Sequence, residues 1–171
     1  MISVKKITLS GILAAFSLIA FMLENLVPPI FVVGGRLGIA NFFVLTACIY
    51  AGFWYGAGIL TVKSLLGSIL TGNAMAILYS LPAGIIAYII QMVIVFYAPK
   101  ISVVAASVVG GVINACLQNV AFCIITSTPE YLAYLPYLAL VGAIGGATVG
   151  AAVFLTIKFL PEKFSGPETK E

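Results

Sequence analysis

The 171-residue chain has no histidine and no aspartate, and only 8% of its residues are charged. Without histidine it lacks the commonest physiological proton shuttle and metal ligand. Without aspartate it lacks the clustered carboxylates that hold Mg²⁺ on phosphates. All five acids are glutamates, and Glu162, Glu168 and Glu171 sit close to the C-terminal end. Cys48, Cys116 and Cys123 lie inside apolar runs with no CxxC pair, so they read as small core hydrophobes rather than ligands or disulfide partners. No GxxxxGK[ST] run is present, so any ATP would have to be hydrolysed by another protein. These absences remove most hydrolytic, metal and acid–base chemistry. The chain is expected to be no enzyme and to need no cofactor or metal. Its formal charge of +3 is modest, and no nucleic-acid partner is expected.

What the sequence has is apolar surface. Hydrophobic residues make up 63% of it, and the mean hydropathy is +1.22. Too few polar side chains remain to cover a soluble domain. The reading is an all-α integral membrane protein: a bundle of about six transmembrane helices in one domain, residues 1–160, embedded in the lipid bilayer. A polar tail, 161–171, is expected to be disordered. Crossing the hydrocarbon takes about 20 apolar residues. Breakers cut the chain into spans near 7–27, 37–53, 56–73, 74–97, 101–127 and 131–158. Pro28-Pro29 ends the first, Pro82 should kink the fourth, and Thr128-Pro129-Glu130 precedes the sixth. The second and third are short and tightly joined, so five or seven helices stay open. Lys5 and Lys6 before an apolar stretch resemble a signal peptide, but residues 7–27 are too long for its core, and a helix is expected there. With both termini in the cytoplasm, Lys5, Lys6, Lys100, Lys158, Lys163 and Lys170 fall inside and Arg36 alone outside, as the positive-inside rule asks.

Ionisable groups at membrane depth are costly and mark function by default. Glu24 stands near the outer end of the first helix, Arg36 in the loop before the second and Lys63 halfway along the third. Three readings stay open: Glu24 and Arg36 as a solvated pair at the membrane edge, Lys63 and Glu24 as a structural pair, or a site. Asn114 and Gln118 share one face of the fifth helix at i, i+4 spacing, with Gly110 and Gly111 a turn below and Asn119 beside them. Asn41, Asn73, Tyr79 and Ser80 are expected on the same side. Two cations, one acid and several amides suit a small molecule with a negative head and an apolar body. On the first helix Ser10/Ala14 and Gly11/Ala15 form small-xxx-small pairs. Gly11, Ala14 and Ala15 are candidates for docking another membrane subunit, or for packing within the bundle.

Several stretches carry a family resemblance: LEN (23–25), the proline pair, GGRLGIAN (34–41), VKSLLGSILTGN (62–73) and GGVINACLQN (110–119). In order over about residues 8–155, they resemble the Gx transporter family, also labelled heptaprenyl diphosphate synthase component I. That family is related to the substrate-binding S components of energy-coupling factor (ECF) transporters. Family members often have Lys where this chain has Arg36 and Arg where it has Lys63, and Ile113 stands where they have a histidine. The resemblance implies six helices with both ends inside and a site near the outer face covered by the first outer loop. It further implies that small residues of the first helix dock on a transmembrane coupling subunit served by two cytosolic ATPases.

Three functions follow as expectations. The first is a substrate-capture subunit in the bacterial plasma membrane, taking up an anionic, largely apolar molecule such as a quinone precursor, an isoprenoid or a vitamin-like compound. The second is a non-catalytic membrane accessory of polyprenyl diphosphate synthesis, since a chain without aspartate lacks the Mg²⁺-diphosphate motifs of the synthase itself. The third is a scaffold in a membrane redox or extracellular electron transfer system.

Overall fold

Six helices account for nearly all of the residues that the computed structural model describes, which are 4–26, 38–98 and 100–160. They are α1 (Val4–Leu26), α2 (Ala40–Ala51), α3 (Phe53–Leu70), α4 (Ala76–Tyr97), α5 (Val103–Thr126) and α6 (Leu135–Phe159), with a short 3-10 segment, Pro129–Tyr134, before α6. Arg36, the proline pair and the tail lie outside the described residues, and so do the structural expectations attached to them. Helix is the secondary structure these sequences must choose in lipid, because it satisfies each backbone N–H and C=O within one segment.

Five of the six helices are long and apolar enough to span a bilayer. The chain is a multi-pass membrane protein. The exception is α2, whose 12 residues cover only about 18 Å at 1.5 Å per residue. It begins three residues later than the sequence suggests, because Gly38 turns at φ 72° and the helix starts only after it. Large apolar side chains face outward along the spans, among them Ile12, Phe16, Ile19, Leu140 and Ile144. In water such a surface would aggregate; in lipid it is the natural exterior.

Successive contacts define an antiparallel bundle. Gly52, at φ 118°, joins α2 to α3 and closes α2 by donating its N–H to the carbonyls of Ala47 and Cys48. A side chain at this φ would be strained. From this hinge α3 returns along α2, with Gly56 against Val44 and Cys48. α4 runs back along α3, where Gly84 meets Leu60 and Tyr88 reaches Gly56. The helix continues through Pro82, whose missing N–H leaves the carbonyl of Leu78 without its helical donor. α5 follows α4 through Gln91–Ser107 and Tyr79–Phe122.

The tightest interface joins α5 to α6. A Cβ added at Gly111 would stand 2.3 Å from the Gly142 carbonyl oxygen, and one at Gly146 2.3 Å from that of Ser107. Gly142, Gly146 and Gly150 recur every fourth residue and lie on one face, the small-residue pattern that brings backbones together where lipid offers no hydrophobic drive. α6 returns to α2, where the Tyr50 hydroxyl donates to the Thr156 carbonyl. Helices α2 to α6 thus form a ring, and α1 packs outside it on α2 and α3. Phe21 of α1 fills the notch at Gly67. The Ser17 hydroxyl, fully buried, donates to the Ala40 carbonyl at 3.0 Å.

This order places Lys5, Lys6, Lys100 and Lys158 at one end of the bundle. The other end, where α1, α3 and α5 finish, carries Glu24 and Glu130.

Candidate ligand-binding site

The ring encloses a cavity of about 100 Å³. All six helices contribute to its wall. Along α4 the lining runs from Ser80 to Gln91, a separation of eleven residues, so the hollow extends roughly 16 Å along the bundle axis. It begins at the acidic end, at Glu24 and Gly38, and reaches past the middle of the bundle.

Its upper level holds the one cation among the described lining residues, Lys63, which is only 5% exposed. Hairpin register brings it there: Asn41 stands eleven residues before Gly52 and Lys63 eleven after it, so antiparallel α2 and α3 carry the two to the same height. The Lys63 ammonium donates to Asn41 Oδ1. Glu24, from α1, interacts electrostatically with Lys63 and accepts a hydrogen bond from the Ile39 N–H at the start of α2. That contact gives the α2 N-terminus the negative partner its dipole favours, since Ile39 provides no side-chain cap. An ammonium in mid-membrane costs about 2.5–3.5 kcal/mol on insertion scales. Asn41 and Glu24 offset part of that. Gly38 shapes the same corner, because a Cβ there would stand 3.0 Å from the Asn41 amide nitrogen.

The middle level is formed by Asn114 and Gln118. They sit one turn apart on α5, and Gln118 Nε2 donates to Asn114 Oδ1 at 3.2 Å. Gly84 faces them from α4; a Cβ at that position would lie 3.9 Å from Asn114 Oδ1. Below, Gln91 Nε2 donates to Ser107 Oγ at 2.9 Å. Gln91 fits because Gly110 has no side chain; a Cβ there would come within 2.9 Å of its Oε1. The Tyr88 hydroxyl donates to the Phe53 carbonyl at 2.7 Å.

Of the residues singled out in the sequence, the structure brings Glu24, Asn41, Lys63, Asn114 and Gln118 onto one cavity wall, with Ser80 beside them. Arg36 lies outside the described residues. Asn73 is elsewhere: it is exposed and its side chain accepts from the Ala76 N–H at the start of α4. Tyr79 is buried edge-on against Phe122, and Asn119 is buried at 0% exposure outside the lining. The small residues of α1 divide. Ser10 is buried and Ala14 packs on the core, whereas Gly11 and Ala15, each one residue further on, are exposed. Sequence reading missed Ser64, Gln91 and Ser107 on the wall. A lone glutamine in the apolar run of α4 was the available signal. It also passed over the four-residue glycine spacing of α6.

Among the described residues no cluster of three or more His, Cys, Asp or Glu is placed to hold a metal. The arrangement offers one lysine, one carboxylate and several amides in an apolar bundle. No curated protein and no solved structure matches the chain. Residues 13–155 match the family described as heptaprenyl diphosphate synthase component I, and the chain belongs to that family.

Proposed function

We propose that the protein is a membrane-embedded substrate-capture subunit, similar in role to the S component of an ECF transporter, in the bacterial plasma membrane. It binds a small anionic molecule with an apolar body. The observation that carries this reading is a cavity walled by all six helices with Lys63 buried beside it. A lysine needed only for stability would be satisfied by Glu24 and Asn41 without a hollow next to it. The positive-inside rule assigns the lysine-bearing end to the cytoplasm, so the end of the cavity lined by Glu24 and Gly38 is the outer one. Arg36 stands two residues before Gly38 in the sequence and is the second cation this proposal assigns to the guest. Release inward then depends on partners, in this proposal a transmembrane coupling subunit and two cytosolic ATPases. Gly11 and Ala15, small and exposed on α1, form its docking face. The subunit itself catalyses nothing.

The family description favours a second reading, an accessory of heptaprenyl diphosphate synthesis. Cavity size argues against a bound product. A cavity of about 150 Å³ takes up benzene, and a chain of roughly 35 carbons needs several times that volume.

The test is to purify the protein alone and to identify the co-purified ligand by mass spectrometry, with Arg36→Ala and Lys63→Ala in parallel. Capture predicts one specific anion, lost in both variants. Recovery of a polyprenyl species would favour the synthesis reading. Recovery of nothing from any of the three would leave only a scaffold.

A further inference from the structure

We infer that a second hollow, an apolar furrow at the lysine-bearing end of the bundle, binds one anionic phospholipid, with an acyl chain in the furrow and the phosphate at Lys5 and Lys6. This goes beyond the capture reading and does not depend on it.

The furrow lies over the short helix. α1 and α6 flank α2, and among the three is a space of about 270 Å³. Leu9, Leu13 and Phe42 on its wall are half-buried and Leu160 is exposed, so it opens at the lipid-facing surface. On α2 the lining runs from Phe42 to Tyr50, roughly 12 Å of helix. One leaflet of hydrocarbon is about 15 Å deep, so the furrow fits within it.

Its wall has nothing to offer a polar guest. Three hydroxyl residues line it, and each donates to a backbone carbonyl: Thr46 to Phe42 at 2.8 Å, Thr156 to Ala152 at 2.8 Å and Tyr50 to Thr156 at 3.4 Å. The rest is leucine and phenylalanine. Water there would forgo hydrogen bonds, whereas hydrocarbon loses nothing. Since a cavity of about 150 Å³ takes up benzene, this one has room for on the order of ten methylenes.

Charge selects the head. Lys5 and Lys6 stand four and three residues before Leu9, so all three share one face of α1, and Leu13 follows Lys6 by two turns. The cations therefore sit at the lysine-bearing rim of the furrow. The glutamates among the described residues, Glu24 and Glu130, are both at the far end and do not compete for them. A phosphodiester with a neutral glycerol head brings a net negative charge; a choline head carries its own cation. Each lysine near the membrane surface favours an anionic lipid by roughly fivefold.

The experiment reconstitutes the full chain with its only tryptophan removed by Trp54→Phe and a reporter introduced by Phe42→Trp, on the furrow wall, or by Ile144→Trp, exposed elsewhere on α6. Vesicles of phosphatidylcholine and phosphatidylglycerol carry bromine on the acyl chains of one lipid or the other, and quenching reads which lipid touches the reporter. Phosphatidylglycerol should quench the furrow reporter with roughly fivefold or greater preference, and high salt should reduce it. The Ile144→Trp reporter should show no preference. Lys5→Gln with Lys6→Gln should abolish the preference in the furrow. Native mass spectrometry of the unaltered protein decides the matter if a reporter variant fails to fold: from an equal mixture the protein should retain one phosphatidylglycerol, and the double lysine variant none. Equal quenching by both lipids, unmoved by the lysine changes, overturns the inference. So does a furrow reporter that neither lipid reaches; a dimer mass in that case would give the furrow to a second copy of the chain. None of these outcomes touches the central cavity, so capture is judged separately by its co-purified ligand.

Discussion

Gly146→Ala tests the closest helix contact in the bundle. The new Cβ would stand 2.3 Å from the Ser107 carbonyl oxygen and 2.8 Å from Val108 Cα. Both atoms are backbone, so no side chain can rotate away, and α5 and α6 must move apart. Overpacking of this kind costs about 1–3 kcal/mol. For a chain of this size each kcal/mol lowers the melting midpoint by about 2–4 °C, so a fall of roughly 2–12 °C is expected. Two controls separate the clash from the generic effect of replacing glycine. Gly11→Ala meets nothing within 4 Å, and Gly84→Ala meets Leu60 at an ordinary 3.5 Å. Alanine is also the better helix former by about 1 kcal/mol, so both controls should melt at or slightly above the parent. The assay is circular dichroism at a helical wavelength on detergent-solubilised protein, with the three variants heated at one rate. If Gly146→Ala melts with Gly11→Ala, the two helices are not in backbone contact.

Gly84→Leu should fill the hollow facing Asn114 and abolish calorimetric binding of the co-purified anion without altering any polar group; retained affinity would move the ligand elsewhere. Lys63→Met should weaken binding of that anion by roughly tenfold or more while shifting the melting midpoint less than Gly146→Ala does, whereas a purely structural lysine would show the reverse. Glu24→Gln keeps an acceptor for the Ile39 N–H but removes the charge opposing an anionic guest, so the same anion should bind several-fold tighter; weaker binding would mean that Glu24 contacts the ligand directly. Ala15→Leu, on the exposed face of α1, should leave binding intact and reduce co-purification with a coupling subunit and its ATPases, and unchanged assembly would remove the docking face.

Helix number and class were readable because they follow from apolar run length and breakers, which are local properties. Polar residues in apolar runs flagged Glu24, Lys63, Asn114 and Gln118 for the same reason: lipid makes each expensive wherever it points. Direction was harder. Asn73 resembles a site residue in one dimension, yet it caps α4, and Tyr79 packs on Phe122 instead of facing the hollow. Gly11 and Ala14 are three residues apart, but one faces lipid and the other the core. The sequence alone determined that this chain lives in a bilayer as a helical bundle with a few costly polar groups, because hydropathy and backbone hydrogen bonding act residue by residue. Only the tertiary structure decided that Asn41 meets Lys63 and that a hollow remains beside the pair. Those outcomes depend on the Gly52 hinge and on glycine contacts between α5 and α6, which couple residues distant along the chain.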